Sequence, residues 1–431
     1  MSNNLNIKIE PVTRVEGHGA ITLNVKDGTI EDIKWEVIEA PRFFESIVLG
    51  KNFNYIDQIT SRICGICSIG HSLAALKAVE DAMDIKISEQ TVLLRKLALH
   101  GENIQSHILH IGYLVVPDLF GMPSVVPIIR SNLDIIKKII SVHKMANFIC
   151  DVVCGRTTHP ITMCVGGFKK IPSIEKLTLL RDLIEKEFNN FKGIVSFIFS
   201  MLDILPDFER ATEYIALNKD TEYALYEGDI CSSDTGKHSV KDYENLVNEF
   251  VVEHSTAKYA KHNRDAYMVG ALARFNLNSN YLYSFAKNIA KRADLKAPCY
   301  NPFMNNVAQL VEIAHSMEDS IIIIDKILEN YLFDEKIDIN VKAGRGVSAV
   351  EVPRGILFHD YTFDENGICT KANCVIPTNQ NHANIQKDME SLVPLIVKKE
   401  KVEVERTLEM LVRAYDPCIS CSTHYLKVYY K

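Results

Sequence analysis

No part of this sequence concentrates positive charge. The nearest approach to a basic run, Lys398-Lys399-Glu400-Lys401, is interrupted by Glu400 and followed by Glu403 and Glu405, which is the pattern of a solvated helix face. With a net charge of −7 and no basic tract interleaved with aromatics, a nucleic-acid groove is excluded. Long apolar runs are also missing: Ile321 to Ile324 and Leu114 to Val116 fall far short of the roughly 20 residues a membrane span needs. Met1-Ser2-Asn3-Asn4-Leu5 has no charged head followed by an apolar core, so no secretory signal is expected and a cytoplasmic protein is. There is no Gly-x-Gly-x-x-Gly to cradle a nicotinamide or flavin dinucleotide. Cys150, Cys154, Cys164, Cys231, Cys299, Cys369 and Cys374 lack the spacing of an iron-sulfur cluster. The chain is therefore expected to carry no flavin, nicotinamide or cluster of its own. Its 11 cysteines, an odd number without regular spacing, suit a reducing compartment in which thiols are ligands or core residues.

What is present is an ordinary globular composition, 47% hydrophobic and 24% charged over 431 residues, ample for a large core. No internal repeat or low-complexity linker divides it, so one body spanning 1–431 is expected, α/β in class but predominantly helical, a central helical bundle with small sheet elements near both ends. Residues 5–41 alternate polar and apolar around the turn Asp27-Gly28, as an antiparallel hairpin does. A helical core follows over 68–205: Leu73, Leu76, Val79, Ala82 and Met83 share one stripe, 89–116 is a second helix ended by Pro117, and 133–154 and 173–205 extend the set. Segment 206–275 is mixed, 277–332 helical, and 338–376 strand-like. The C-terminal segment 384–431 opens with a helix to Val412, kinked or broken before Pro394. His107 and His110, spaced to face one metal, are read as hydrogen-bonded core residues, and Cys150 and Cys154 as buried free thiols.

The chemistry is concentrated in two Cys-x-x-Cys pairs, Cys64/Cys67 and Cys418/Cys421, whose first members are 354 residues apart. The two-residue spacer lets both sulfurs of a pair face one ion, so together the pairs can place four thiolates around a soft or borderline transition metal. A structural zinc satisfies the spacing equally well. Zinc ribbons, however, usually separate their pairs by roughly 15–20 residues. Here a shared metal requires the fold to bring the two ends of a large protein to one buried point. Cys67 precedes the helical pattern that starts at Ser68, where unpaired N–H groups and the helix dipole favour a thiolate.

The residues around the pairs give R-x-C-G-x-C-x3-H from Arg62 to His71 and D-P-C-x-x-C-x-x-H from Asp416 to His424. These resemble the two signatures of the large, catalytic subunit of nickel-iron hydrogenases, and the resemblance runs over essentially the whole chain. It implies that family's fold and the reaction H2 ⇌ 2H+ + 2e−. It implies a nickel-iron centre in which Cys64 and Cys418 are terminal ligands of nickel while Cys67 and Cys421 bridge nickel to an iron carrying carbon monoxide and two cyanides. Arg14-Val15-Glu16-Gly17-His18 is similar to the family's R-[IV]-E-G-H element, making Glu16 the first proton acceptor; by itself it would be an ordinary surface carboxylate. Glu351-Val352-Pro353-Arg354-Gly355 is similar to the P-R-G element, which puts Arg354 over the metals and near one cyanide. Val375-Ile376-Pro377-Thr378 is similar to V-x-P-[ST], with Pro377 and the Thr378 hydroxyl at the other cyanide. Asp416 and Asp118 would fix the Arg354 guanidinium, and Glu45 with His424 would hold a structural magnesium.

The resemblance also implies partners: an iron-sulfur small subunit, flavin/iron-sulfur diaphorase-type or other electron-acceptor subunits, nickel-insertion proteins, and a maturation endopeptidase that removes the residues beyond His424. Pro41-Arg42-Phe43-Phe44-Glu45, 250–255 and 412–421 are similar to the soluble, multi-subunit, often bidirectional branch. Two alternatives stand beside this reading. One is a non-catalytic homologue like the quinone-site subunit of respiratory complex I, against which the four cysteines, Glu16 and Arg354 argue. The other is a zinc-stapled scaffold.

Overall fold

The computed structural model describes residues 4–330, 333, 335 and 339–423. Alternation in the first forty residues produces β1 (Leu5–Ile9), β2 (Gly19–Lys26) and β3 (Thr29–Val37), an antiparallel sheet in that order. The expected hairpin is β2–β3, in register from Gly19↔Val37 to Lys26↔Thr29 across Asp27-Gly28, with β1 added as a third strand. Two short helices, α1 (Phe44–Val48) and α2 (Ile56–Thr60), lead into the first cysteine pair. α3 (Ser68–Met83) then starts at once, with Cys67 as its N-cap.

α4 (Glu89–Leu109) is started by the Ser88 side chain, which accepts the Thr91 N–H at 3.0 Å. It does not stop at Pro117. A π-turn over His110–Val115 continues it into α5 (Val116–Leu119), which takes Pro117 as its second residue. α6 (Val126–Ser131), α7 (Leu133–Cys154) and α8 (Ile174–Phe199) follow, with a small ribbon of β4 (Met163–Cys164) and β5 (Gly167–Phe168) between the last two.

The mixed segment resolves into β6 (Glu213–Asn218), β7 (Asp229–Ser232), β8 (Gly236–His238), α9 (Tyr243–Leu246), β9 (Asn248–Phe250), β10 (Tyr259–Lys261) and β11 (Tyr267–Met268). β11 pairs parallel with β6 in a sheet ordered β11-β6-β7-β8. The helical stretch after it is α10 (Ala271–Asn278), α11 (Ser284–Arg292) and α12 (Asn305–Asn330). Helices α4, α7, α8 and α12 each pack on two others of the set, closing the expected central bundle. No helix among the described residues is long and apolar enough to cross a membrane.

The strand-like region is an antiparallel meander of β12 (Gly344–Val352), β13 (Gly355–Phe363) and β14 (Cys369–Val375). α3 lies across β12 and β13. The fit is close at Gly70, where a Cβ would stand 2.1 Å from Val352 Cγ1. The last helical stretch differs from expectation. α13 (Pro377–Ile396) begins at Pro377, whose fixed φ suits a first helical position, and it contains Pro394 in its final turn. The break comes after that, before α14 (Lys401–Ala414), which delivers the second cysteine pair.

Candidate metal centre

The two cysteine pairs meet. Cys64, Cys67, Cys418 and Cys421 are all at most 4% exposed, and the sulfurs of Cys64 and Cys418 are 3.5 Å apart. The sulfurs of Cys64, Cys418 and Cys421 lie within 4.8 Å of one another. Cys418 and Cys421 are paired as a disulfide, with Cα atoms 5.5 Å apart, and this pair would offer two thiolates to a metal only once reduced. Three buried sulfurs this close, with Cys67 hydrogen-bonded beside Cys64, match the donor chemistry of a soft or borderline transition metal.

Several contacts staple the two chain ends together here. Arg42 donates Nη2 to the carbonyls of both Ile63 and Ser420, each at 2.6 Å, and its backbone N–H bonds the Thr423 carbonyl. Glu16 forms a parallel bridge with Cys418, its carbonyl accepting the Ile419 N–H, and its carboxylate accepts the N–H and hydroxyl of Ser420. Gly17 makes that approach sterically feasible. Its φ is +88°, and a Cβ would lie 2.8 Å from both Ile419 Cβ and Ser420 N. From the other side, the Thr378 hydroxyl oxygen accepts the Cys418 N–H at 3.0 Å, and Asn379 donates to the Ser422 carbonyl. Pro377 at the helix start sets that first turn of α13 beside the cysteines.

Arg354 occupies the tip of the β12–β13 hairpin, whose last pair, Val352↔Gly355, leaves only Pro353 and Arg354 in the turn. The side chain is buried and its fork is committed: Nε to the Asp416 carbonyl at 2.6 Å, Nη2 to Asp416 Oδ1 at 2.8 Å and Nη1 to Cys67 Sγ at 3.3 Å. Asp416 adopts φ 50°, a strained value for a non-glycine residue that its partners must hold in place.

Thiolate character is distributed differently from expectation. A hydrogen bond from Cys67 and the charge of Arg354 pull Cys64 down to about 7, whereas Cys67, hydrogen-bonded to Cys64 and buried, is pushed up. The physical reason lies in where the helix-start N–H groups point. That of Cys67 itself donates to Cys64 Sγ at 3.2 Å, and those of Ile69 and Gly70 are taken by the carboxylate of Glu102. Glu102, which sequence reading passed over, is completely buried, and burial pushes it up to about 8.

Asp118 is not a partner of Arg354. It binds Arg413 in a two-pronged pair, at 2.7 and 2.8 Å, and Arg14 at 2.6 Å. The reason is chain path: α5 faces the end of α14 and the stretch before Glu16, while the Arg354 tip faces Asp416 directly. Glu45 lies half-buried in α1, near Tyr361 and Cys374, which burial pushes up and to which the Glu45 charge adds. His424 and the segment after it, where cleavage was expected, lie outside the described residues. His71 sits one helical turn beyond Cys67, with Nδ1 3.1 Å from His359 Nε2. His107 and His110 are core histidines, bonded to Glu312 and to Gln309 and the Arg413 carbonyl respectively. Cys150 and Cys154 are buried free thiols.

Arg42 and Glu102 hold the backbone around the cysteines, and sequence reasoning missed both. Arg42 stands inside a motif that was quoted for Glu45. The only local sign at Glu102 is a carboxylate on the apolar side of a helix.

Comparison with known proteins agrees with this geometry. The family described as nickel-dependent hydrogenase matches residues 42–128 and 216–424, and a HoxL-like family matches 6–40. The alpha subunit of sulfhydrogenase 1 of Pyrococcus furiosus is 32% identical, over 98% of this chain and 99% of its own. The beta subunit of the NAD-reducing hydrogenase HoxS of Cupriavidus necator is 29% identical, over 97% and 94%. A crystal structure of an NAD+-reducing NiFe-hydrogenase in the H2-reduced state superposes with a TM-score of 0.88 at 24% identity, covering 97% of this chain and 99% of that one, which establishes the fold. Matched along nearly its full length, with both cysteine pairs brought to one buried point, the chain belongs to the nickel-dependent hydrogenase family as a large subunit.

Proposed function

We propose that this chain, acting as one catalytic unit, interconverts H2 with protons and electrons and passes the electrons to an iron-sulfur small subunit, then to a soluble acceptor in the cytoplasm. The observation that carries the reading is the convergence of four buried cysteines from both ends of the chain beneath one buried arginine. When bound, the nickel-iron centre would supply the heterolytic splitting of H2. Cys64, Cys67, Cys418 and Cys421 would hold that centre through their sulfurs.

Arg354 and Thr378 would donate to the cyanides of an iron that, by the family resemblance, would also hold carbon monoxide. A buried anionic ligand needs donors, and Thr378, whose oxygen already accepts the Cys418 N–H, retains its O–H to donate. Asp416 keeps Arg354 charged and aimed. Glu16 accepts the proton. It is bonded along the backbone to the Cys418 segment, and it is half-buried, so it reaches from the cysteine segment toward solvent. Glu45 and His424 are assigned to a structural magnesium. The sulfhydrogenase relative is an alpha subunit, which supports a multi-subunit assembly; diaphorase-type or other acceptor subunits, a maturation endopeptidase and nickel-insertion proteins belong to the proposal as further partners.

Infrared spectroscopy of the natively matured protein tests this. Bands from one carbon monoxide and two cyanides on iron, shifting on exposure to H2, are the expected result. Their absence from a protein with full metal content would refute it.

A further inference from the structure

Behind the turn that carries Arg354 lies a second arginine, Arg274 in α10, with no exposed surface. A guanidinium has five N–H donors, and all five are used here. Nε and Nη2 bind the two oxygens of Glu312 at 2.6 and 2.7 Å, and Nη1 binds Glu351 Oε2 at 2.8 Å. The remaining two donors go to backbone: Nη1 to the Val352 carbonyl and Nη2 to the Pro353 carbonyl, both at 2.9 Å. Val352 is the last residue of β12, and Pro353 is the first of the two turn residues. The carboxylates behind the fork are pinned in turn, Glu312 by His107 and the Tyr223 hydroxyl, Glu351 by the Leu217 N–H.

A buried ionic cluster of this size is a poor route to stability, because well-packed apolar groups often do as well or better. It does supply orientation. Arg354 follows Pro353 directly and presents its guanidinium to Cys67 and Asp416 from a turn too short to flex independently. We propose that Arg274 is a positioning residue: through the Val352 and Pro353 carbonyls it sets where Arg354 holds its guanidinium over the thiolates. This rests on the reading of Arg354 as part of the metal centre.

The test is a double-mutant comparison in the holoenzyme, purified with its native partner subunits. Arg274→Lys keeps the charge but cannot reach both carboxylates and both carbonyls from a single nitrogen. Turnover is expected to fall about 10²-fold, the usual scale for a misplaced group near the reaction, with nickel content retained. A crystal structure of the variant should show Arg354 Nη1 withdrawn from Cys67 Sγ. Arg354→Lys should lose at least as much, and the double variant no more than Arg354→Lys alone, since both changes act through one side chain. Losses that multiply, or an Arg354 that has not moved, overturn the proposal. Full turnover in Arg354→Lys alone would refute the reading of Arg354 instead, and displacement of Arg354 by Arg274→Lys is measured independently of that outcome. Should Arg274→Lys fail to fold, Glu351→Gln removes one charged partner of Arg274 and keeps an acceptor for Leu217. A few-fold loss that vanishes in the Arg354→Lys background supports the proposal, and one that persists there overturns it.

Discussion

At the scale of the residue, Glu16 separates proton transfer from metal chemistry. Glu16→Gln keeps an acceptor for Ser420 but cannot carry a proton, so turnover should fall by about 10²–10⁴-fold while nickel, iron and the infrared bands remain. Parental H2 evolution in that variant would remove Glu16 from the mechanism. Thr378→Val deletes the acceptor of the buried Cys418 N–H, which costs about 1–3 kcal/mol in native stability. Denaturant unfolding at parental stability would show that this bond contributes little. The cysteines, Glu16, Arg354 and Thr378 were legible because each stands inside a contiguous motif. Arg42, Glu102 and Arg274 were not, since their roles come from backbone groups that only the folded chain brings to them. Asp118 was expected at Arg354 and binds Arg413 and Arg14 instead, because nothing local distinguishes one arginine from another.

At the scale of the element, helices with a long apolar period were readable, and α7 runs over the same residues as expected. The segment holding β6 to β11 was not, because its strands are short and β11 pairs with β6 from far along the chain. Local periodicity cannot announce such a pairing. Pro117 was read as a stop and Pro394 as a kink or break, yet the helical path runs on past Pro117 and α13 continues through Pro394 to Ile396.

α2, which leads into Cys64, yields a pH prediction. Asp57 within it is 5% exposed, and burial pushes its carboxyl up from 3.8 to about 6. A carboxyl raised on folding contributes stability that is present below its unfolded value and lost as pH rises through the folded one. Between pH 4 and pH 7 the parent should therefore lose up to roughly 3 kcal/mol that Asp57→Asn does not lose, at about 1.4 kcal/mol per tenfold in proton activity. Denaturant midpoints of the two proteins at both pH values measure this, and parallel pH profiles would contradict it. Gly17 makes a steric prediction. Gly17→Ala must place a Cβ against Ile419 and Ser420 at φ +88°, so it should lower nickel content by loosening the C-terminal cysteine segment. Full nickel loading in this variant would show that the segment docks without that close approach.

At the scale of the whole molecule, the C-terminal segment docks on the bundle through α12 and the π-turn after α4, where Asn305, Gln309 and His110 bind Ala414, Asp416 and Arg413. Asp118 links the two chain ends, binding Arg14 from the N-terminal segment and Arg413 from the C-terminal helix. Asp118→Asn removes the counter-charge of part-buried Arg14 and leaves buried Arg413 with Glu409 alone, at 3.7 Å, so it should cost up to the roughly 3–5 kcal/mol of breaking a buried pair, read from denaturant unfolding. The central claim is that nickel is held at the point where those ends meet, by Cys64, Cys67, Cys418 and Cys421. Nickel-edge X-ray absorption on the natively matured protein measures this directly. The account predicts a sulfur-dominated shell with a neighbouring iron, losing one sulfur in Cys418→Ser. Nickel surrounded by nitrogen and oxygen, or a shell unchanged by Cys418→Ser, would contradict it.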